Sequence, residues 1–219
     1  MLFRSIFPTR VQGLALQGRG VAEFDALATD MRAMSAALGR RLDGVLGHSF
    51  LVDKVVLVDY LRPQVVMLQT AEDAPPFVQS CRKRWSVPLQ TVESFPVIPD
   101  FRIGEARAPV SLDTGSSGAL GLFPSGLALP GVRTALREVG VVTRTGARGE
   151  AKSASYALEA PVGFGPFAVP PGLAVSSYAE GGSAETRVGN VGNKLLAAMK
   201  LKLLLDYRGG RITFFGDCD

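Results

Sequence analysis

A single histidine, a single tryptophan and two cysteines among 219 residues remove much reactive machinery before any motif is sought. Ser/His/Asp and Cys/His arrangements need an imidazole base. His48 is the one imidazole, and no activated nucleophile stands near it in a recognisable motif, so it reads as non-catalytic. Cys81 and Cys218 could pair but define no framework; with no metal-ligand spacing around them, free thiols are the favoured reading. No metal site and no cofactor are expected. No apolar run reaches the roughly 18 residues of a membrane span, and residues 1–10 place two arginines around an apolar run too short for a signal-peptide core. A large excess of one charge sign is also lacking, with 24 Lys and Arg against 20 Asp and Glu. The one basic cluster, Arg82 Lys83 Arg84, would neutralise few phosphates, so no nucleic-acid partner is expected.

What the chain does have is apolar residues, 47% of the total, enough to fill the core of a globular protein of this length. Leu27, Met31, Met34 and Leu38 recur at helical spacing and predict one amphipathic helix over residues 21–39, stopped by Gly39. Two β-rich runs, 54–60 and 64–68, predict a hairpin. Residues 70–88 carry Pro75, Pro76 and Pro88 with most of the local charge and read as an exposed connector holding a domain boundary. Trp85 would pack at the edge of the unit that follows. Strands are then predicted over 97–103 and 107–112, a short helix over 130–137, and strands over 141–144 and 154–158 around a polar tip at 145–150. Residues 161–175 read as short irregular strands.

The chemically loaded stretch is Val110 Ser111 Leu112 Asp113 Thr114 Gly115 Ser116 Ser117 Gly118. Alternation at Val110 and Leu112 marks the end of a half-buried strand, and Gly115 and Gly118 are expected to permit turns of positive φ. Asp113 therefore stands at a strand-to-turn junction among short hydroxyls. Two readings follow from these residues: an Asx-type turn, or a carboxylate held and tuned as an acid.

Two distant segments share one plan. Gly47 His48 Ser49 Phe50 Leu51 through Asp59 Tyr60 to Leu68 runs as glycine loop, apolar helical turn, strand ending in Asp-Tyr, tight turn and closing strand. Gly192 Asn193 Lys194 Leu195 Leu196 through Asp206 Tyr207 to Phe215 repeats it, offset by 145 residues at the glycines and 147 at Asp-Tyr. Two copies so far apart point to two similar lobes rather than a solenoid. Asp113 precedes Asp206 by 93 residues, so its counterpart in the first lobe would fall before Met1, and no second Asp-Thr-Gly or Asp-Ser-Gly occurs.

Leu112 Asp113 Thr114 Gly115 Ser116 Ser117 Gly118, followed by an apolar-apolar-glycine loop and a strand ending in Asp-Tyr, resembles the aspartic protease superfamily, nearest in pattern to bacterial retropepsin-like proteins. Val45 Leu46 Gly47 His48 Ser49 Phe50 Leu51 is similar to the family's second loop; Val191 Gly192 Asn193 Lys194 Leu195 Leu196 matches it more loosely. The resemblance implies a mainly β chain: an acid-protease-like closed β-barrel lobe with a few short helices, plus a partial second copy. It implies a partial first lobe over 1–70, a linker over 71–88 and a complete lobe over 89–219. It further implies a polypeptide substrate and a dyad of carboxylates, one ionised to activate water and one protonated to donate to the carbonyl, with Asp113 as one member. Thr114 would cross-brace the two loops, Gly115 would allow close backbone approach and Ser116 would hydrogen-bond the carboxylate. The tip at 145–150 would correspond to a flap. The missing second aspartate leaves three arrangements: a truncated start, a homodimer that brings two Asp113 side chains together, or a noncatalytic peptide-binding or structural protein with this fold.

Overall fold

A computed structural model of the chain describes residues 6–146, 149–178 and 187–219. The chain is mainly β with a few short helices, as the sequence predicts. It divides into two compact units, one comprising the residues through Val52 with Thr143–Lys152, the other Asp53–Val142 with Ser153–Asp219.

In the first unit β1 (Phe7–Val11) pairs antiparallel with β4 (Phe24–Ala28), and β2 (Ala15–Leu16) with β3 (Arg19–Gly20). Helix α1 spans Arg32–Leu38 and closes on Gly39 in the left-handed conformation, as the glycine stop predicts. The predicted helix over 21–39 is thus only its second half. Phe24–Ala28 alternates half-buried and exposed, a period of two that the pairing with β1 turns into strand. A short helix, α2 (His48–Leu51), starts from Gly47, and Phe50 packs edge-on against Phe24 at 5.4 Å between centroids.

Two larger sheets hold most of the remaining strands. The smaller runs in the order β6 (Gln64–Leu68), β5 (Val55–Asp59), β18 (Lys202–Asp206), β19 (Arg211–Cys218), β7 (Cys81–Pro88). The hairpin predicted over 54–68 is β5–β6. Strands β5 and β18 pair antiparallel with Leu57 opposite Leu204, Val55 opposite Asp206 and Asp59 opposite Lys202. One face of this sheet is covered by residues expected to be a linker. Thr70 caps a 3-10 turn at Ala71–Asp73, and Pro75 and Pro76 open α3 (Pro75–Val78), where their missing N–H groups cost nothing. Phe77 and Val78 pack on the cluster of Val55, Leu57, Ala74, Leu204 and Phe215. The stretch 71–88 is therefore part of the unit: its prolines start a helix, and its charged Arg82 lies on β7, paired with Asp217 at 3.1 Å.

The larger sheet runs β12 (Leu136–Gly146), β13 (Gly149–Leu158), β16 (Leu173–Ser177), β11 (Leu120–Leu122), β17 (Gly189–Val191), β10 (Ala106–Leu112), β9 (Phe95–Ile103), β14 (Val162–Phe164), β15 (Phe167–Val169), with β8 (Thr91–Val92) also on β9. The short helix expected over 130–137 is a 3-10 turn at Arg133–Ala135 that leads directly into β12. Helices α4 (Pro124–Leu127) and α5 (Asn193–Ala198) follow β11 and β17. Phe164 of the larger sheet meets Phe214 of the smaller at 4.7 Å, and Trp85 on β7 lies 5.6 Å from Phe164 and 5.7 Å from Phe214, joining the two sheets with aromatic rings.

Cys81 and Cys218 are not free thiols. They stand opposite each other on β7 and β19, with Cα atoms 3.9 Å apart, and form a disulfide across 137 residues of sequence. Their pairing depends on which strands become neighbours, which cysteine spacing does not encode. Replacing both by serine is expected to lower unfolding free energy by about 2–4 kcal/mol, because the bridge closes a long loop in the unfolded chain. Denaturant unfolding of the two proteins measures the difference, and an unaltered midpoint would show that the bridge is not formed.

Candidate functional site

The order β11–β17–β10 governs the site. Strands β10 and β11 are consecutive in the chain, yet β17 lies between them, parallel to β10 (Leu112 opposite Val191) and antiparallel to β11 (Leu120 opposite Val191). The connecting residues 113–119 must therefore cross the end of β17. They are fastened to it by main-chain hydrogen bonds. Asp113 N donates to Val191 O at 2.9 Å, Gly192 N to Ala119 O at 2.9 Å, Asn193 N to Ser116 O at 2.9 Å and Lys194 N to Gly118 O at 3.0 Å.

Asp113 is half-buried where β10 enters this crossing. Gly115 N donates to its Oδ1 at 3.0 Å and Ser116 N to its carbonyl at 3.1 Å, the geometry of an Asx turn. Its other oxygen, Oδ2, faces Asn190 Nδ2 at a long 3.5 Å. Burial pushes the Asp113 carboxyl above the usual carboxylate range, opposed by the Gly115 N–H, the Arg187 guanidinium and the Ser116 N–H. The residue thus forms the Asx turn of the first reading.

The other predicted site residues surround it in the same loop. Thr114 is exposed, and its carbonyl accepts from Asn193 Nδ2 at 2.8 Å. Ser116 Oγ accepts from Gly118 N at 3.2 Å. Neither Gly115 nor Gly118 has the positive φ expected of it. A Cβ at Gly115 would lie 3.2 Å from Asp113 Oδ1, so the carboxylate would have to give way slightly. The 145–150 tip joins β12 and β13, and residues 147 and 148 of it lie outside the described residues. Asp206 accepts from Gly209 N, and Asp59 from Leu61 N and Arg62 N, with Lys202 Nζ 3.2 Å from Asp59 Oδ2. Both are strand-end residues. Asp59 is buried, which alone would raise its carboxyl, but the turn N–H groups and Lys202 bring it below the usual range.

Behind Asp113 lies a set of residues that the sequence reading did not single out. Arg187 is 8% exposed; its guanidinium stacks 4.1 Å from the centroid of the Phe95 ring and 5.0 Å from that of Phe123. Nη1 donates to Asn190 Oδ1 at 2.9 Å and to Ser111 Oγ at 3.3 Å, while Nε lies 3.7 Å from Glu93 Oε2. Ser111 Oγ donates to Gly189 O at 2.7 Å. Phe123 stacks on Tyr178 at 4.7 Å, and that ring occupies the space a side chain at Gly121 would need, 2.0 Å from a Cβ built there. Further along the clasp, Tyr60 Oη donates to Asn193 Oδ1 at 2.7 Å, orienting the amide that holds Thr114. No local sequence signal marks these residues, because their burial and pairing come from strands that meet only in the fold.

No protein-family model matches the chain, and no curated protein matches it. Among solved structures, one described as a retropepsin-like aspartic protease from Rickettsia conorii is 17% identical, over 61% of this chain and 92% of that one, with a TM-score of 0.44.

Two variants test the site's physics. A Cβ at Gly192 would meet Gly118 O at 2.5 Å and Ser116 Oγ at 2.9 Å, so Gly192→Ala is expected to cost about 1–3 kcal/mol and to shift the amide resonances of residues 113–119. An unshifted loop would refute the clasp. Because the folded Asp113 carboxyl is raised, its contribution favours folding below its unfolded value and is lost as pH rises through the folded one. Asp113→Asn should therefore gain stability relative to the native chain at pH ~7, by ~1 kcal/mol or less after solvent screening, and lose that gain near pH ~3. Thermal melts at the two pH values read the sign.

Proposed function

We propose that the Asp113 loop is one half of an aspartic-peptidase-type site, in which a pair of carboxylates shares a proton and activates water for attack on a peptide bond. The observation that carries this reading is the Asp113 carboxyl itself: half-buried at the end of β10, fixed through one oxygen by Gly115 N–H, and raised above the usual range by burial. A carboxyl so placed is suited to take and return a proton at mildly acidic pH. Thr114, Gly115 and Ser116 support the loop, Thr114 through its carbonyl and Gly115 through its N–H.

Among the described residues, the charged side chain acting on Asp113 is Arg187. The second carboxylate is accordingly supplied by another polypeptide segment, a second copy of this chain being the simplest source. Support for a two-lobed ancestry comes from the paired segments. Gly47 and Gly192 share an extended backbone, φ −101° and −110°, each accepting from the third and fourth residues beyond. Hairpins β5–β6 and β18–β19 pair about Leu57 and Leu204. A second reading, a noncatalytic binder of extended peptides, is favoured by the single Asp-Thr-Gly in the sequence.

Incubation with an unstructured polypeptide should give cleavage that is faster below neutral pH, is blocked by a statine-type transition-state analogue and falls at least ~100-fold in Asp113→Asn. Full activity in that variant would overturn the reading. Saturable peptide association without turnover, at chain concentrations that allow dimers, would favour the binder.

A further inference from the structure

The carboxamide of Asn190 has a definite orientation. Its Oδ1 receives Arg187 Nη1 at 2.9 Å, so its Nδ2 is the end turned to Asp113 Oδ2. Arg187 is in turn fixed by two aromatic faces and by Glu93. We propose that Arg187 is the positioning residue of Asp113: clamped between Phe95 and Phe123, it locks the Asn190 carboxamide against the carboxylate and gives the site a fixed positive charge whose strength Glu93 moderates.

The geometry has the parts this role needs. Arg187 and Asn190, 8% and 5% exposed, are shielded from water that would otherwise screen the charge or compete for the amide. A guanidinium stays protonated over the whole range in which a carboxyl titrates. The groups that face Asp113 are the N–H donors of Gly115 and Ser116 from its own turn, Asn190 from β17, and Arg187; those that face Arg187 in addition are Glu93, beside β9, and Tyr178, after β16. Glu93 competes with Asp113 for one cation. Removing Arg187 and removing the Glu93 charge must therefore move Asp113 in opposite directions. An arginine whose charge does not act on Asp113 would not produce that pair of signs.

This assignment deepens the peptidase reading, since it concerns the same carboxyl, but its test reads the carboxyl directly. Asp113 is followed by carbon-detected NMR titration in the native chain, Arg187→Met and Glu93→Gln, together with the Asn190 side-chain amide signal. In Arg187→Met the Asp113 midpoint is expected to rise by roughly one pH unit. In Glu93→Gln, where the altered side chain is 37% exposed, the midpoint is expected to fall. In the native chain the Asn190 amide should shift with the same midpoint as Asp113. A midpoint that stays put in both variants, or an Asn190 signal indifferent to the Asp113 titration, would overturn the assignment. Proteolysis is not part of the readout, so a chain without peptidase activity would refute the function and leave this result standing.

Discussion

Everything at the site depends on one strand lying between two others. Because β17 separates β10 from β11, residues 113–119 have no short path along a sheet edge and must cross the strand end. A crossing of this kind leaves backbone donors and acceptors off the ladder, and buried ones must find partners. They find them in one another: the bonds from Asp113, Gly192, Asn193 and Lys194 close the crossing onto β17 and the start of α5. The loop that carries Asp113 is thus placed by main-chain geometry, which leaves the carboxylate itself to be oriented by Gly115 N–H and by Asn190 with Arg187 behind it. Gly192 has no Cβ for the same reason, as Gly118 O passes where one would be.

The second constraint is electrostatic. The second unit buries cations on both its sheets, and each is held by more than one group. Lys202 meets Asp59 at 3.2 Å and donates to Phe77 O at 2.7 Å, while Asp59 takes two turn N–H groups, so that pair also ties α3 to the sheet. Arg187 has a more distant carboxylate, Glu93 at 3.7 Å, and makes up the difference with aromatic faces and neutral acceptors. A buried ion left with fewer partners would be expensive. The Lys202 pair is directed inward to packing; the Arg187 set is directed outward, through Asn190, to a carboxyl in contact with solvent.

Local pattern made the strands legible. The hairpin at β5–β6, the strand pair β9–β10 and the Asp113 turn follow from alternation and turn residues. What failed, failed where a distant partner decides. Phe24–Ala28 fits a helix or a strand until β1 pairs with it; Pro75 and Pro76 suit a linker or a helix start until the sheet face beneath needs covering; Cys81 and Cys218 become neighbours only once β7 and β19 pair. At the site, Asp113 was readable because a turn concentrates distinctive residues in one short stretch. Arg187, Asn190 and Ser111 were not, because a buried polar network is assembled across strands from residues that are ordinary one at a time.

A positive charge behind a single acid has a consequence for how a pair of acids would be built. Two carboxylates brought close repel unless they share a proton, and the cost grows as water is excluded. In a two-fold arrangement of this chain each Asp113 would arrive with its own Arg187 behind it, so the like-charge cost of closing the pair is offset from both sides. The same cations would favour ionisation, shifting the range of the singly protonated pair toward lower pH. Glu93 would limit that shift, because its negative charge offsets part of each guanidinium's field at Asp113 and so would keep the shared proton from being lost too readily.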